Sequence, residues 1–535
     1  MRRFSSYGPV DKDLHFHVPR ESLVQRACDE LMGEDPAKGG HYITVWAPRQ
    51  SGKTWIMREV LWNLRADARF NAVKINLDEL KVENDPDRAA GIIGAEICRL
   101  LGLEWGRMDT IQGFTALFLK QTLKKPLILI LDELDSLDES VISALVGVFR
   151  AIYISRSETK ADSAAEGYCL HGLALVGVRS VLGVENVTGS PFNIQRSMPI
   201  PNLTHSEVRE MFEWYERESG QPVEPEVADR VFDETQGQPG LVSWLGELLT
   251  ETYNRDPGRA ISGDDFEFAY KRAVQVLPNN NVLNIISKAR RTPYDETVLE
   301  LFRTSRKSEF AFDDPHLNFL YMNGVIGIED AGTDLYVKFS CPFVQKRLFN
   351  YFSRRLFRTL DRLYDPLTDI ASVVGETSVD VPALMGLYRE YLARNRNWLL
   401  KDAPRRSTDL RIYEAVFHFN LYMYLKLLFQ DKGGEVFPEF PTGNGKVDIL
   451  IRHAGRLYAL ELKSFRDRTA HARSLLQAAE YATRLGLDRI FLILFIEEID
   501  ADNRRALETV HEDGATGVKV VPIFVETANH PPTAV

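Results

Sequence analysis

An apolar run from His41 to Trp46 ends in Ala47-Pro48-Arg49-Gln50-Ser51-Gly52-Lys53-Thr54, and a helical pattern begins at about Thr54. A strand, a tight loop and a helix in that order call for an α/β layer in which the strand is covered on both faces. Gly52 lets the backbone come close to an anion. The turning amides of Gln50, Ser51 and Gly52 then point at it, and the helix N-terminus adds its dipole. Lys53 supplies a point charge for the β- and γ-phosphates of a nucleotide, and the Thr54 hydroxyl is placed to ligate Mg²⁺. In the spacing G-x-x-x-x-G-K-[ST], Ala47 stands where the first glycine is usual, which restricts the backbone there.

A second stretch, Pro126-Leu127-Ile128-Leu129-Ile130-Leu131-Asp132-Glu133, is an aliphatic run closed by two carboxylates. Continuous aliphatic sequence suits a parallel strand buried on both faces. Asp132 is expected to hold the Mg²⁺ shell opposite Thr54, with Glu133 as general base for an attacking water. Asp135 and Asp138 read as N-cap and surface groups of the next helix. The two stretches in this order predict a nucleoside triphosphate site, with ATP and Mg²⁺ as its occupants.

The remaining pattern is strands alternating with helices, which implies a parallel sheet. Helices are expected over 22–32, 54–65, 89–101, 113–123 and 140–154, and strands over 73–77, 127–131 and 173–179. Arg179 closes the last of these strands, at the edge where open α/β sheets bind ligands. A guanidinium there can sense a γ-phosphate or pair with a neighbouring carboxylate, and both readings stand open. The chain has 535 residues, 44% hydrophobic and 26% charged, which suggests several domains. Its net charge of −11 confines any nucleic-acid surface to local patches. The four cysteines, Cys28, Cys98, Cys169 and Cys341, are far apart and read as reduced thiols of a cytoplasmic protein. The first residues do not resemble a signal peptide, and no apolar run is long enough to cross a bilayer.

With these residues in hand, 15–350 resembles the STAND-type P-loop ATPases, a signalling branch related to AAA+ proteins. The resemblance rests on Pro19-Arg20-Glu21, on the phosphate loop as a Walker A motif and on Asp132-Glu133 as Walker B. It also rests on Arg179 at the sensor position, on Ser190-Pro191-Phe192-Asn193-Ile194 opening the last core strand, and on Gly237-Gln238-Pro239. The last of these matches the Gly-x-Pro motif of the helical lid, which implies that Pro239 lies near the nucleotide. Read from its own residues, Pro239 is also a plain helix start. The resemblance implies an ASCE-type parallel sheet over 1–200, a helical lid over 201–280, a winged helix over 281–352 and a homo-oligomer. A connector over 353–407 is dense in cations. Lys346, Arg347, Arg354, Arg355 and Arg358 form one cluster at its start. Arg394, Arg396, Lys401, Arg405 and Arg406, with Trp398, form another. These are candidate patches for phosphate backbones or solvated helix faces.

Near the C-terminus, Asp448-Ile449-Leu450-Ile451 and Leu457-Tyr458-Ala459-Leu460-Glu461-Leu462-Lys463 flank a short polar turn and read as a hairpin. A turn centred between Ala454 and Gly455 sets Asp448 directly opposite Glu461, with Lys463 on the same face. Two carboxylates at that separation repel unless a cation lies between them, and a divalent metal is the natural occupant. Asp448, Glu461 and the Leu462 carbonyl are then candidate metal ligands, with Lys463 orienting the attacking water. Glu414, on the preceding helix, and Gln477, on the following one with Tyr481, are candidate members of the same site. The stretch 408–535 resembles the PD-(D/E)XK nuclease superfamily on Glu414, Asp448, Glu461-Leu462-Lys463 and Gln477, with Val447 where that family usually has Pro. This implies a restriction-endonuclease-like α/β domain that cuts nucleic acid, DNA foremost. The whole reads as an α/β multidomain protein in which an ATPase switch controls a Mg²⁺-dependent nuclease. By analogy this suits prokaryotic defence or mobile-element biology. The alternative is a non-enzymatic switch that docks on DNA or a partner.

Overall fold

In the computed structural model the described residues are 1–8, 10–35, 38–104, 110–158, 167–177, 195–302, 308–407, 410–430, 432–439 and 448–528. They form two compact units. One comprises Met1–Ala273 with Phe312–Gly324, the other Val274–Ala311 with Val325–Val535.

The first unit opens with α1 (Glu21–Met32), β1 (Tyr42–Trp46), α2 (Lys53–Ala66) and β2 (Asn71–Asn76). It continues through α3 (Pro86–Leu101), α4 (Ile111–Leu117), β3 (Leu127–Asp132), α5 (Glu139–Glu158), β4 (Leu170–Gly177) and β5 (Gln195–Pro199). The five strands are all parallel, in the order β2-β3-β4-β1-β5. β3 shows why the sequence chooses this sheet. Leu127, Leu129 and Leu131 face a core with Ile93, Phe114 and Phe149, while Ile128 and Ile130 face another with Val24, Ile56 and Val60. An aliphatic strand with period-two alternation thus fills both layers at once. β4 stands between β1 and β3, so the phosphate loop and the acidic end of β3 flank one strand end.

Two local expectations are corrected. α4 starts at Ile111, where Thr110 caps it, and ends at Leu117, short of the anticipated 123, because the chain turns at Leu119–Leu123. Asp138 does act at a helix start, accepting from Ser140, but Asp135 is half-buried with its carboxylate against Gly177, where a Cβ would lie 2.5 Å from Oδ1. Arg179 and Ser190–Ile194 lie outside the described residues.

Helices α6 (His205–Ser219), α7 (Pro225–Thr235), α8 (Pro239–Glu247) and α9 (Gly263–Gln275) follow, α8 running into a π-helical turn at Leu248–Thr252. α6 starts on a capping box of Thr204 and Glu207. Arg20 reaches the Pro201 carbonyl at 3.0 Å and so ties the start of α1 to this segment. Gly237, at φ +68°, passes so close to the chain at Leu203 that a Cβ would lie 1.8 Å from its carbonyl oxygen. No other residue fits that crossing.

In the second unit α10 (Asn280–Ala289) and α11 (Tyr294–Leu301) precede residues 312–324, which hold α12 (Pro315–Met322) and group with the first unit. The hairpin β6 (Ile326–Asp330) and β7 (Leu335–Phe339) follows, then α13 (Pro342–Leu356), α14 (Ile370–Val373), α15 (Val381–Leu399) and α16 (Glu414–Gln430). α16 is buried around its whole circumference from Ala415 to Leu425, which explains a helix with almost no polar face. Its Phe419 meets Phe302 and Phe349, its Tyr422 hydroxyl donates to Asn350, and its Asn420 accepts from Tyr388. Lys346 is buried and Arg347 donates to the Val274 and Leu277 carbonyls, so neither belongs to a solvated cationic patch.

The chain then forms β8 (Glu435–Glu439), β9 (Asp448–His453), β10 (Arg456–Ser464), α17 (Arg468–Arg484), β11 (Arg489–Ile496), α18 (Ala501–Leu507), β12 (His511–Glu512) and β13 (Lys519–Glu526). These six strands make a mixed sheet in the order β12-β13-β11-β10-β9-β8. β8, β9 and β10 are antiparallel neighbours, whereas β10, β11 and β13 run parallel.

Candidate functional site

The phosphate loop leaves β1 at Trp46 and enters α2 at Lys53. Gln50 (φ 58°) and Gly52 (φ 86°) both take the left-handed conformation. Gly52 does so without cost and serves as the helix N-cap, while a non-glycine there is strained and points to a built site. Ala47 needs no positive φ, so its methyl costs the loop nothing. Lys53 is buried and donates to the Ala47 and Pro48 carbonyls at 2.8 and 2.9 Å; Ser51 also donates to Pro48. Burial lowers the Lys53 ammonium to about 8, against the opposing pull of Glu133, Asp135 and Asp132. The loop therefore already curls round a cation that a phosphate can claim.

A cavity of about 450 Å³ opens over this loop, lined by Gln50 to Thr54, by Asn76 at the end of β2 and Asp78 just after it, by Glu133 and by Pro239. Glu133 sits at φ 60°, the second non-glycine left-handed residue here. Burial raises its carboxyl pKa, with Asp135 and Asp132 adding to the rise. Asp132 lies beneath, buried, with Oδ2 on the Lys74 ammonium at 2.6 Å and Oδ1 accepting the Glu133 N–H at 3.1 Å.

The start of α8 is fastened to the loop. Gln238 caps α8 through Leu241 and donates to the Arg49 carbonyl at 3.0 Å, and the Gly240 N–H donates to the Gln50 carbonyl at 3.1 Å. The N-terminal segment joins them: Gln50 donates to the Ser6 carbonyl, and the Ser6 hydroxyl donates to Glu247 of α8 at 2.7 Å. Phe4 sits between Phe16 and Phe212 and closes against Gly246. One hydrogen-bonded set thus joins the loop, α8 and the N-terminal segment.

The family model described as an AAA-like domain matches residues 5–252. That span begins at the N-terminal segment over the cavity and closes at the end of the π-helical turn. Among solved structures, the chain is similar to the Walker-type ATPase PABY2304 of Pyrococcus abyssi, at 15% identity over 64% of this chain and 99% of that one, with a TM-score of 0.43. It is also similar to ORC1 of Aeropyrum pernix, solved in complex with DNA, at 18% identity over 64% and 95%, TM-score 0.32. The RuvB Holliday junction branch migration motor of Thermotoga maritima gives 15% identity over 60% and 92%, TM-score 0.33. No curated protein matches.

Within residues 5–252 the structure brings together Gln50, Ser51, Gly52, Lys53, Thr54, Glu133 and Pro239 at one cavity, with Asp132 just below it. Sequence reasoning missed Lys74, Asn76 and Asp135. Lys74 had left a trace, as the one charged residue of β2.

The second cluster is on β9 and β10. Their register pairs Arg456 with His453 and Glu461 with Asp448, the pairing expected of a turn at Ala454-Gly455. Asp448, Glu461 and Lys463 are all buried, and Lys463 Nζ lies 2.9 Å from Glu461 Oε1. Glu461 Oε2 has no hydrogen-bond partner among the described residues. The same face carries Leu450 and Ala459, and α17 covers it through Ala478, Ala479 and Ala482. Glu414 accepts from the Ser464 hydroxyl at 2.7 Å, which places it at the end of β10. Leu462 is buried in β10 opposite Ile493 of β11. Gln477 is exposed on α17 and makes no side-chain hydrogen bond among the described residues, so it is not joined to the carboxylates. No group of three or more His, Cys, Asp or Glu side chains arranged to hold a metal occurs among the described residues. The donor set here is two carboxylates, one with a buried oxygen to spare, beside a backbone strand. That chemistry fits a hard divalent cation completed by water.

Proposed function

We propose that the protein is an ATP-binding and ATP-hydrolysing switch that controls a Mg²⁺-dependent phosphodiester-cleaving nuclease, with DNA as its substrate. The observation that carries the nuclease half is the buried Asp448–Glu461 pair, set face to face with Lys463 beside it and one Glu461 oxygen without a partner among the described residues. A desolvated acid pair with spare donor capacity is costly unless it serves a cation.

At the front site Lys53 exchanges its loop carbonyls for the β- and γ-phosphates, and the N-terminal amides of α2 turn toward them. Thr54 and Asp132 would hold Mg²⁺, and Arg179 is proposed as the residue that senses the γ-phosphate. Glu133 holds and polarises the attacking water; burial raises its carboxyl pKa and so makes it a stronger base. Pro239 and its neighbours report the state of the loop to the lid through the Gln238 and Gly240 hydrogen bonds.

At the rear site Asp448, Glu461 and the Leu462 carbonyl would hold Mg²⁺, which supplies Lewis acidity for a phosphodiester. Lys463 orients the water and faces the charge that develops on phosphorus, Glu414 steadies the end of β10, and Gln477 is proposed to meet the substrate backbone. The winged helix over 281–352, the connector over 353–407 and the nuclease-like region over 408–535 form the path from switch to effector, in a homo-oligomer.

The test is cleavage of supercoiled plasmid by the full chain in Mg²⁺. Wild type should nick or linearise it, and Asp448→Ala, Glu461→Ala and Lys463→Ala should each lose cutting by about two orders of magnitude or more. Cutting that survives all three substitutions refutes the site.

A further inference from the structure

Lys74 takes no part in the function described so far. β2 runs beside β3 with Lys74 opposite Ile130 and Asn76 opposite Asp132. From there its ammonium reaches Asp132 Oδ2 at 2.6 Å, with only 16% of the Lys74 side chain and 2% of the Asp132 side chain exposed. A lysine inside a strand is retained there only when paired, and this one is paired with the acid whose charge a nucleotide-bound cation needs. The other Asp132 oxygen already accepts the Glu133 N–H. Both oxygens are therefore engaged from within the protein, one of them by a full positive charge.

We propose that Lys74 is a resident counter-ion of the nucleotide site, neutralising Asp132 so that phosphates bind with little dependence on a divalent cation. This rests on the reading of the Lys53 cavity as the nucleotide site. Lys74 does not line the cavity, so it is a positioning residue that acts through Asp132. Its charge works in two directions. It offsets the repulsion between a polyphosphate and the Asp132, Glu133 and Asp135 carboxylates. It also weakens the attraction of Asp132 for a divalent cation. Each effect narrows the difference in nucleotide affinity with and without metal.

The experiment is equilibrium binding of a fluorescent ADP analogue to the full chain, in EDTA and in excess Mg²⁺, read as the ratio of the two Kd values. Lys74→Gln and Lys74→Met should raise that ratio by about tenfold or more, and Lys74→Arg should leave it as in wild type. Lys74→Met leaves Asp132 Oδ2 buried without a donor; if it does not fold, Lys74→Gln offers that oxygen a neutral amide donor while removing the charge. An unchanged ratio in a folded neutral variant overturns the proposal. A raised ratio in Lys74→Arg also overturns it, since the charge is then not what matters. If wild type binds no nucleotide and Lys53→Ala behaves identically, the reading of the cavity fails instead.

Discussion

Replacing Gly240 by alanine tests the junction of the loop and α8, the proposed lid, at one methyl group. An added Cβ would lie 2.4 Å from Gln50 Oε1 and 2.6 Å from Gln50 Cβ. Gln50 has little room to retreat, since it sits at φ 58° in the phosphate loop with its side-chain amide on the Ser6 carbonyl. Forcing a methyl into such a contact costs about 1–3 kcal/mol. If the lid and loop must keep this arrangement to hold a nucleotide, that cost appears as roughly 5- to 150-fold weaker binding. In the absence of nucleotide it appears as a fall in the melting temperature of roughly 2–10 °C. Fluorescent-ADP titration reads the first and thermal denaturation the second. Gln50→Gly removes the atoms that clash and suits the left-handed backbone, so Gly240→Ala with Gln50→Gly should recover the melting temperature relative to Gly240→Ala alone. Wild-type affinity and melting temperature in Gly240→Ala would refute the reasoning, because the lid would then float free of the loop.

Nucleotide binding should take up a proton at alkaline pH. Lys53 titrates at about 8 in the free protein, so above that pH the loop must recharge it, and affinity should fall by up to about tenfold per pH unit. A pH series of the same titration checks this. His418, on α16, is buried with its pKa lowered by burial, and less by Lys463, to about 3. Its folded-state pKa is below the unfolded value, so the neutral ring stabilises the fold above about pH 6.5. That contribution declines as pH falls toward 3, by up to about 1.4 kcal/mol per unit. Denaturant midpoints for wild type and His418→Leu between neutral pH and pH 4 should show a shallower loss in the variant.

Where geometry follows from local periodicity, the sequence was readable. The β9–β10 register needed only a two-residue turn and strand alternation, and these set Asp448 opposite Glu461. The aliphatic run ending in Asp132 announced a strand buried on both faces. What could not be read depends on which strands become neighbours. Lys74 meets Asp132 only because β2 and β3 are adjacent, at a sequence separation no motif spans. Asp135 resembled a surface group because a short 3₁₀ turn, Leu134–Ser136, rather than the helix, carries it back against Gly177. The Gln238 and Gly240 hydrogen bonds to the loop were equally hidden, since a helix start looks alike whether or not it rests on a phosphate loop. Gln477 matched by position along the chain, yet its place on α17 turns it to solvent.

Control of cutting by nucleotide is what joins the two proposed sites. The direct measurement is the initial rate of plasmid cleavage by the full chain in Mg²⁺, with and without ATP, for wild type and for Lys53→Ala. ATP should change the wild-type rate and leave the Lys53→Ala rate where it was. An ATP effect absent from wild type, or equal in both proteins, would contradict that control.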